Sequence, residues 1–371
     1  MPRDPLQTRL TDMLGVPYPI VAFSPSREVV AGVIQAGAFA VLAGTWHDPE
    51  DLAEHIRWIR GKVGDRPFGI DLLLPASAPP MGSIEELMAE IPEEHKAFVK
   101  QLKERYNVPD ARNPPEHYAL GWINQDRARR QVDVALEERA PVLAVGLGSP
   151  NFILEAAHQR GIKVFGLVGK PRQADRELEA GVDAIIAQGS DAAGHTGNIG
   201  TFSIVPEVVA RAGDTPVLAA GGATTGRHLA AALCLGASGI WTGTLWLAST
   251  ESDKDPIIKK KLIEADADGT IHSRCVSGFS MRILKSQWTE EWAKPGAPEP
   301  LPAPYQLLLG AEFNQAVNEN RIEDFMFEAA GQGVGFVKES KPVADIVASL
   351  VDEARAVFQG LTSESAVEAR G

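Results

Sequence analysis

The sequence predicts an α/β fold, a (β/α)8 barrel, and two observations carry that prediction. Eight short apolar runs have the near-continuous hydrophobicity of parallel strands buried on both faces, and helix-patterned segments alternate with them. A third observation argues against the main rival, a doubly wound sheet. No GxGxxG follows the first run, where a dinucleotide-binding sheet would carry it.

The runs are YPIVAF (18–23), FAVLAG (39–44), RPFGIDLLL (66–74), PVLAVGLG (141–148), KVFGLVG (163–169), DAIIAQG (183–189), PVLAAGG (216–222) and GIWTGTLWLA (239–248). Between the second and third lies DPEDLAEHIRWIRGKVG, where Asp48 is placed to cap a helix, Pro49 suits its first turn, and Ile56 and Ile59 recur at helical spacing. Residues 76–125 form a helical insertion after strand three, on the side where barrel active sites lie. A lid and a surface or dimerisation excursion suit it equally. The expected organisation is a barrel over 1–250, insertion included, and a largely helical C-terminal appendage over 251–371, broken by WAKPGAPEPLPAP and GQGVG, that packs on the barrel.

Hydrophobic residues at 44% and charged residues at 23% suffice for a sizeable core. The net charge of −13, with no basic stripe, argues against nucleic acid as a partner, because phosphate-backbone affinity needs clustered Lys and Arg. Two cysteines cannot build a disulfide scaffold, and Cys234, in the apolar run HLAAALCLGA, reads as a buried free thiol. The first residues lack a signal-peptide apolar core and no apolar stretch is long enough to span a bilayer, so the expected location is cytoplasmic, without a membrane partner.

The last two strand ends are rich in small residues. Gly221 and Gly222 offer backbone N–H groups, Thr224 and Thr225 are placed to cap the next helix, and Gly243 with Thr244 adds amides and a hydroxyl. Loops after strands seven and eight commonly hold a phosphate in such barrels, and these residues favour a dianion site there. Strand six ends on Gln188 and runs into GSDAAGHTG, whose glycines suit close backbone approach and whose His195 stands at the barrel mouth. An imidazole there suits removal of a carbon-bound proton or a hydrogen bond to an anionic substrate. Asp191 reads as a loop cap, and the other seven histidines as structural or surface residues. No metal-ligand cluster and no Ser-His-Asp arrangement can be read from spacing.

The stretches GVDAIIAQGSDAAGHTG and PVLAAGGATTGRHLAAALCLGASGIWTGTLWL resemble the nitronate monooxygenase family of FMN-dependent (β/α)8 barrels, and the likeness extends more loosely to GQGVG. The resemblance implies that Gln188 contacts the flavin and that His195 is the catalytic histidine. It places the FMN phosphate on Gly221, Gly222, Gly243 and Thr244, with Trp241 and Thr242 on the same loop and Ala193 and Gly194 on the flavin side. The implied reaction is oxidative denitrification: a nitronate gives an electron to the flavin, O2 enters, and a carbonyl compound and nitrite leave. Substrate and O2 are the implied partners, and a homodimer is compatible with the sequence.

Three departures from the family pattern bear on the pocket. Asp71 stands in GIDLLLP where an asparagine is common; if ionised, it would disfavour negative charge on reduced FMN. Ala193 replaces a glycine in AAGH, and VAFSPS leaves Phe23 and Ser24 to shape the substrate pocket. The alternative activity is NAD(P)H-dependent flavin reduction of an enone or enoyl thioester, since enoyl reductases resemble the same barrel. A non-redox barrel using Lys170 is the third reading.

Overall fold

The computed structural model describes residues 4–74, 84–113, 125–146, 148 and 150–368, without the side chains of 362–368. In chain order the strands are β1 (Ile20–Ser24), β2 (Phe39–Ala43), β3 (Gly69–Leu73), β4 (Val142–Gly146), β5 (Lys163–Val168), β6 (Ala184–Gln188), β7 (Gly194–His195), β8 (Val217–Ala220) and β9 (Gly239–Thr242). All but β7 join in one closed parallel barrel, sealed where Val21 of β1 stands opposite Trp241 of β9. The eight runs are therefore the eight barrel strands. The last is shorter than its apolar run suggests: β9 ends at Thr242, and a 3-10 turn, Thr244–Trp246, follows. Trp246 Nε1 donates to Thr242 O at 3.0 Å and to Thr242 Oγ1 at 2.9 Å, which folds the end of the run back on itself.

Strand alternation sorts the side chains into two cores. Val21, Val41, Ala144, Phe165, Ile186 and Leu218 fill the barrel, and Leu10 and Leu14 of α1 (Arg9–Leu14) join that cluster. Ala22, Leu42, Ile70, Leu143, Ile185 and Ile240 belong to the cluster shared with the surrounding helices. These include α2 (Arg27–Gln35) and α3 (Pro49–Val63). Pro49 opens α3 as its missing N–H allows, and Ile56 and Ile59 are fully buried, each worth about 1.5–3 kcal/mol. Asp48 precedes α3 without capping it; its carboxylate pairs with Arg127 at 3.2 Å instead.

The described part of the insertion comprises α4 (Ile84–Glu90) and α5 (Glu93–Arg105), and the chain rejoins the barrel through α6 (Gln125–Glu137). Residues 76–83 and 114–124 of the predicted insertion lie outside the described residues. Next come α7 (Asn151–His158), α8 (Pro171–Ala180), α9 (Thr201–Ala212) and α10 (Gly226–Cys234). Cys234, expected to be buried, is exposed: it is the last residue of α10, where the helix leaves the barrel wall, and the buried free thiol is Cys275.

Beyond residue 250 the helices α11 (Pro256–Glu264), α12 (Gln287–Trp292), α13 (Tyr305–Glu319) and α14 (Val343–Glu368) dominate, as predicted. Among them sits a hairpin, β10 (Thr270–Ser273) and β11 (Met281–Leu284), with which the short strand β7 pairs. α4 and α5 pack on α13, and α14 returns to the barrel wall against α10 and α2. The approach is close enough to require glycine, since a Cβ on Gly226 would stand 2.4 Å from Leu350 O. No helix among the described residues is long and apolar enough to cross a membrane.

Candidate active site

The strand ends on one side of the barrel surround a cavity of about 590 Å³. Its size lies within the range of small-molecule sites, roughly 300–1,000 Å³. Phe23, Asp71, Gln188 and His195 border it from β1, β3, β6 and β7. Ala193, just before β7, and Gly194 of β7 also border it, and Gly221, Gly222, Trp241, Thr242, Gly243 and Thr244 complete the side formed by β8 and β9. Ser24 does not line the cavity: it is buried, and its Oγ accepts from the N–H of Ser26 at 3.1 Å, because alternation turns it away from Phe23. Phe23 and Trp241 stack with ring centroids 5.8 Å apart.

The β8 end is shaped by glycine. Gly221 and Gly222 have φ of +108° and +69°, values that side chains disfavour. Among the described residues, the N–H groups of Gly222, Gly243 and Thr244 make no hydrogen bond to protein. The Thr244 hydroxyl accepts from the N–H of Gly331 at 2.9 Å. That ties GQGVG to the β9 end, with Gly333 so close that a Cβ there would stand 2.9 Å from Gly222 O. Thr225 caps α10 by accepting from the His228 N–H, so the positive end of that helix begins at the same loop. Thr224 does not cap; its hydroxyl donates to Gly222 O at 3.3 Å. The Thr242 hydroxyl is spent on Val21 O, leaving Thr242 a wall residue. Asp191 braces the neighbouring loop by accepting from the Thr201 N–H.

His195 lies in a short strand, not in a loop. It stands opposite Met281 in the antiparallel pairing of β7 with β11, its Nε2 lies 2.8 Å from Ser277 Oγ, and the Phe279 ring meets it edge-on at 5.8 Å. Burial lowers its pKa to about 4, so the ring is neutral at neutral pH. A neutral imidazole and two glycine-rich strand ends thus border one cavity at the mouth of a parallel barrel.

The sequence pattern that defines the nitronate monooxygenase family matches residues 7–353. The chain belongs to that family. It is 37% identical over 361 residues to Rv1533 of Mycobacterium tuberculosis, a protein named as a monooxygenase, spanning 94% of this chain and 96% of that one. Among solved structures, the nitroalkane oxidase of Streptomyces ansochromogenes superposes with a TM-score of 0.80 at 26% identity, covering 95% of this chain and 99% of the other. FabK of Thermotoga maritima gives 0.73 at 27% identity, covering 96% and 99%. The protein is an oxidoreductase of the nitronate monooxygenase family.

Within this family member, Asp71 occupies the barrel interior. It stands in register with Ala43 and Ala144, is 8% exposed, and has its pKa pushed up to about 7 by burial. Sequence reasoning missed Ser277, which comes from a segment with no strand signal of its own. It also missed the ion pair between Lys254 and Glu328, both at the cavity wall, and the wall residues Thr45 and Trp46. GQGVG was the one legible sign that the region after 250 reaches the site. Lys170 is exposed just after β5 and does not border the cavity. Of the histidines read as structural, His158 pairs with Asp183, His272 contacts Ser190 O and His95 contacts Glu299 O. The rings of His47 and His55 meet at a tilt of 39° with centroids 4.1 Å apart.

Proposed function

We propose that this chain binds FMN in the cavity and uses O2 to oxidise alkyl nitronates to carbonyl compounds and nitrite. One observation carries the reading: His195 and the glycine-rich β8 and β9 ends border the same cavity. The residues present suit the cofactor. Gly221 and Gly222 hold a backbone cradle that a side chain would strain, the N–H groups of Gly222, Gly243 and Thr244 suit a phosphate, and Ala193, Gly194 and Gln188 line the route to His195. Bound FMN would supply the electron acceptor.

The chain's own residues then position the substrate and exclude water. His195, neutral and anchored through Nε2 to Ser277, suits an anionic nitronate by hydrogen bonding. A pKa of about 4 makes it a weak base, so preformed nitronates are the better substrates and neutral nitroalkanes the poorer ones. Phe23 and Trp241 wall the cavity with stacked rings. The test is the absorbance spectrum of the purified protein, followed by nitrite release from propyl-2-nitronate in air without NAD(P)H. A flavin spectrum with nitrite release supports the proposal; no nitrite from any small nitronate refutes it.

A second reading is NAD(P)H-dependent reduction of an enone or enoyl thioester. The His195–Ser277 pair favours it, because a hydrogen-bonded imidazole and hydroxyl can also deliver a proton to a reduced substrate. Anaerobic bleaching of the flavin by NADH or NADPH, without nitrite release in air, would select it.

A further inference from the structure

The Asp71 carboxyl is more than nine-tenths buried, borders the cavity, and has no hydrogen-bond or ion-pair partner among the described residues. Among the described residues no cation pairs with it. Its register neighbours on β2 and β4 are Ala43 and Ala144, and the inward residues across the barrel are Phe165, Ile186 and Leu218. In the 3-10 turn Gly44–Trp46, which packs on β3, the Thr45 Oγ1 is taken by the Leu73 N–H. From α6 the buried polar residue is Gln131, whose amide is spent on the carbonyls of Gly44, Thr45 and His47. The titratable groups at the cavity are His195, neutral, and Lys254 with Glu328, paired to each other.

An isolated carboxylate in such a place is expensive to ionise, whereas the neutral acid has one O–H to give and needs an acceptor. No described side chain supplies that acceptor, and the cavity beside it is where the cofactor is placed above. We propose that Asp71 is held as the neutral carboxylic acid and donates its hydrogen bond to the bound flavin, so that FMN binding requires a proton on Asp71. This inference rests on the FMN reading. It also decides the condition left open by the sequence, in which Asp71 opposes negative charge on the reduced cofactor only if ionised. A neutral donor favours such charge instead, as the more common asparagine does through its amide. Burial raising the Asp71 pKa to about 7 agrees with the geometry and sets the range in which the proton is lost from the free protein.

The test measures FMN affinity of the apo-protein by fluorescence quenching from pH 6 to 9, for wild type and Asp71→Asn. The phosphate is already largely dianionic above pH 7, and the variant corrects for whatever else titrates. Half of Asp71 carries the proton at its apo pKa and about one part in a hundred two pH units above it, so wild-type affinity is expected to fall by about 50-fold between pH 7 and 9. Asp71→Asn stays nearly flat. Equal slopes in the two proteins overturn this inference while leaving the cofactor reading intact; failure of the wild type to bind FMN at any pH overturns both. Should Asp71→Asn not fold, Asp71→Ser removes the ionisable group equally. A neutral-carboxyl C=O band in infrared spectra of the FMN complex at pH 7, present in wild type and lost in the variant, provides a readout independent of affinity.

Discussion

Alanine at Gly221 and at Gly222 separates folding from cofactor binding, because neighbouring positions meet different surroundings. A Cβ on Gly221 would lie 2.6 Å from Thr201 Oγ1, 3.0 Å from Ala192 N and 3.2 Å from Gly189 O, on a backbone at φ +108°. Two of those neighbours are backbone and cannot swing aside. Strained backbone costs about 1–3 kcal/mol and overpacking a similar amount, so Gly221→Ala should destabilise the apo-protein by about 2–6 kcal/mol. At Gly222 the φ is +69° and the nearest atom, Asp191 Cβ, is 3.5 Å away, so only the backbone penalty of about 1–2 kcal/mol applies. The added methyl at 222 instead stands at the cavity wall, where the phosphate is proposed to sit, and FMN affinity should drop by about tenfold or more, roughly 1.4 kcal/mol. Urea unfolding of the two apo-proteins and FMN titration of both provide the comparison. Equal destabilisation would refute the packing argument, and unchanged FMN affinity in Gly222→Ala would refute the phosphate placement.

His195→Asn should retain FMN and lose about a hundredfold in turnover of 2-nitropropane, but less than about tenfold with propyl-2-nitronate. Steady-state kinetics with both substrates decide, and equal losses would assign His195 to substrate binding alone. Ser277→Ala removes the hydroxyl 2.8 Å from His195 Nε2 and should lower kcat about 3- to 10-fold without changing FMN affinity; Ser277→Thr should restore it, and failure of that rescue counts against a positioning role. Glu177, on α8, has an unpartnered buried Oε2 and a pKa raised by burial to about 7. Because the unfolded chain ionises it first, from about pH 4.5, the carboxyl withdraws stability as pH rises from 4.5 to 7 and no further above that. Glu177→Gln should therefore be more stable than wild type at pH 8 and no more stable at pH 4, as followed by melting temperature; a pH-independent difference would contradict this.

The barrel was legible because its signals are local. Eight apolar runs with small-residue ends mark where strands stop, and alternation along each run separates the interior set from the helix-facing set. Legibility failed where distant segments meet. Apolar composition carried the last run through to Ala248, but the strand ends when Trp246 finds a bonding partner in Thr242. His195 read as a loop residue, since nothing in GSDAAGHTG reveals that β11, far along the chain, pairs with it. Ser277 was invisible for the same reason: a serine before glycine carries no sign of which imidazole it will meet. Asp48 fitted a cap by sequence position but found Arg127 of a later helix. Asp71 was legible as a departure from the family pattern, whereas its solitude in the barrel interior emerges only when the strands close.

One cavity is proposed to hold the phosphate of FMN on the β8 and β9 ends and to present the flavin to His195 and Asp71. A crystal structure of the protein with FMN bound tests it most directly. Phosphate oxygens are expected within hydrogen-bond distance of the N–H groups of Gly222, Gly243 and Thr244, with the flavin ring bordered by His195 and Asp71. FMN bound elsewhere, or with its ring remote from His195, would contradict it.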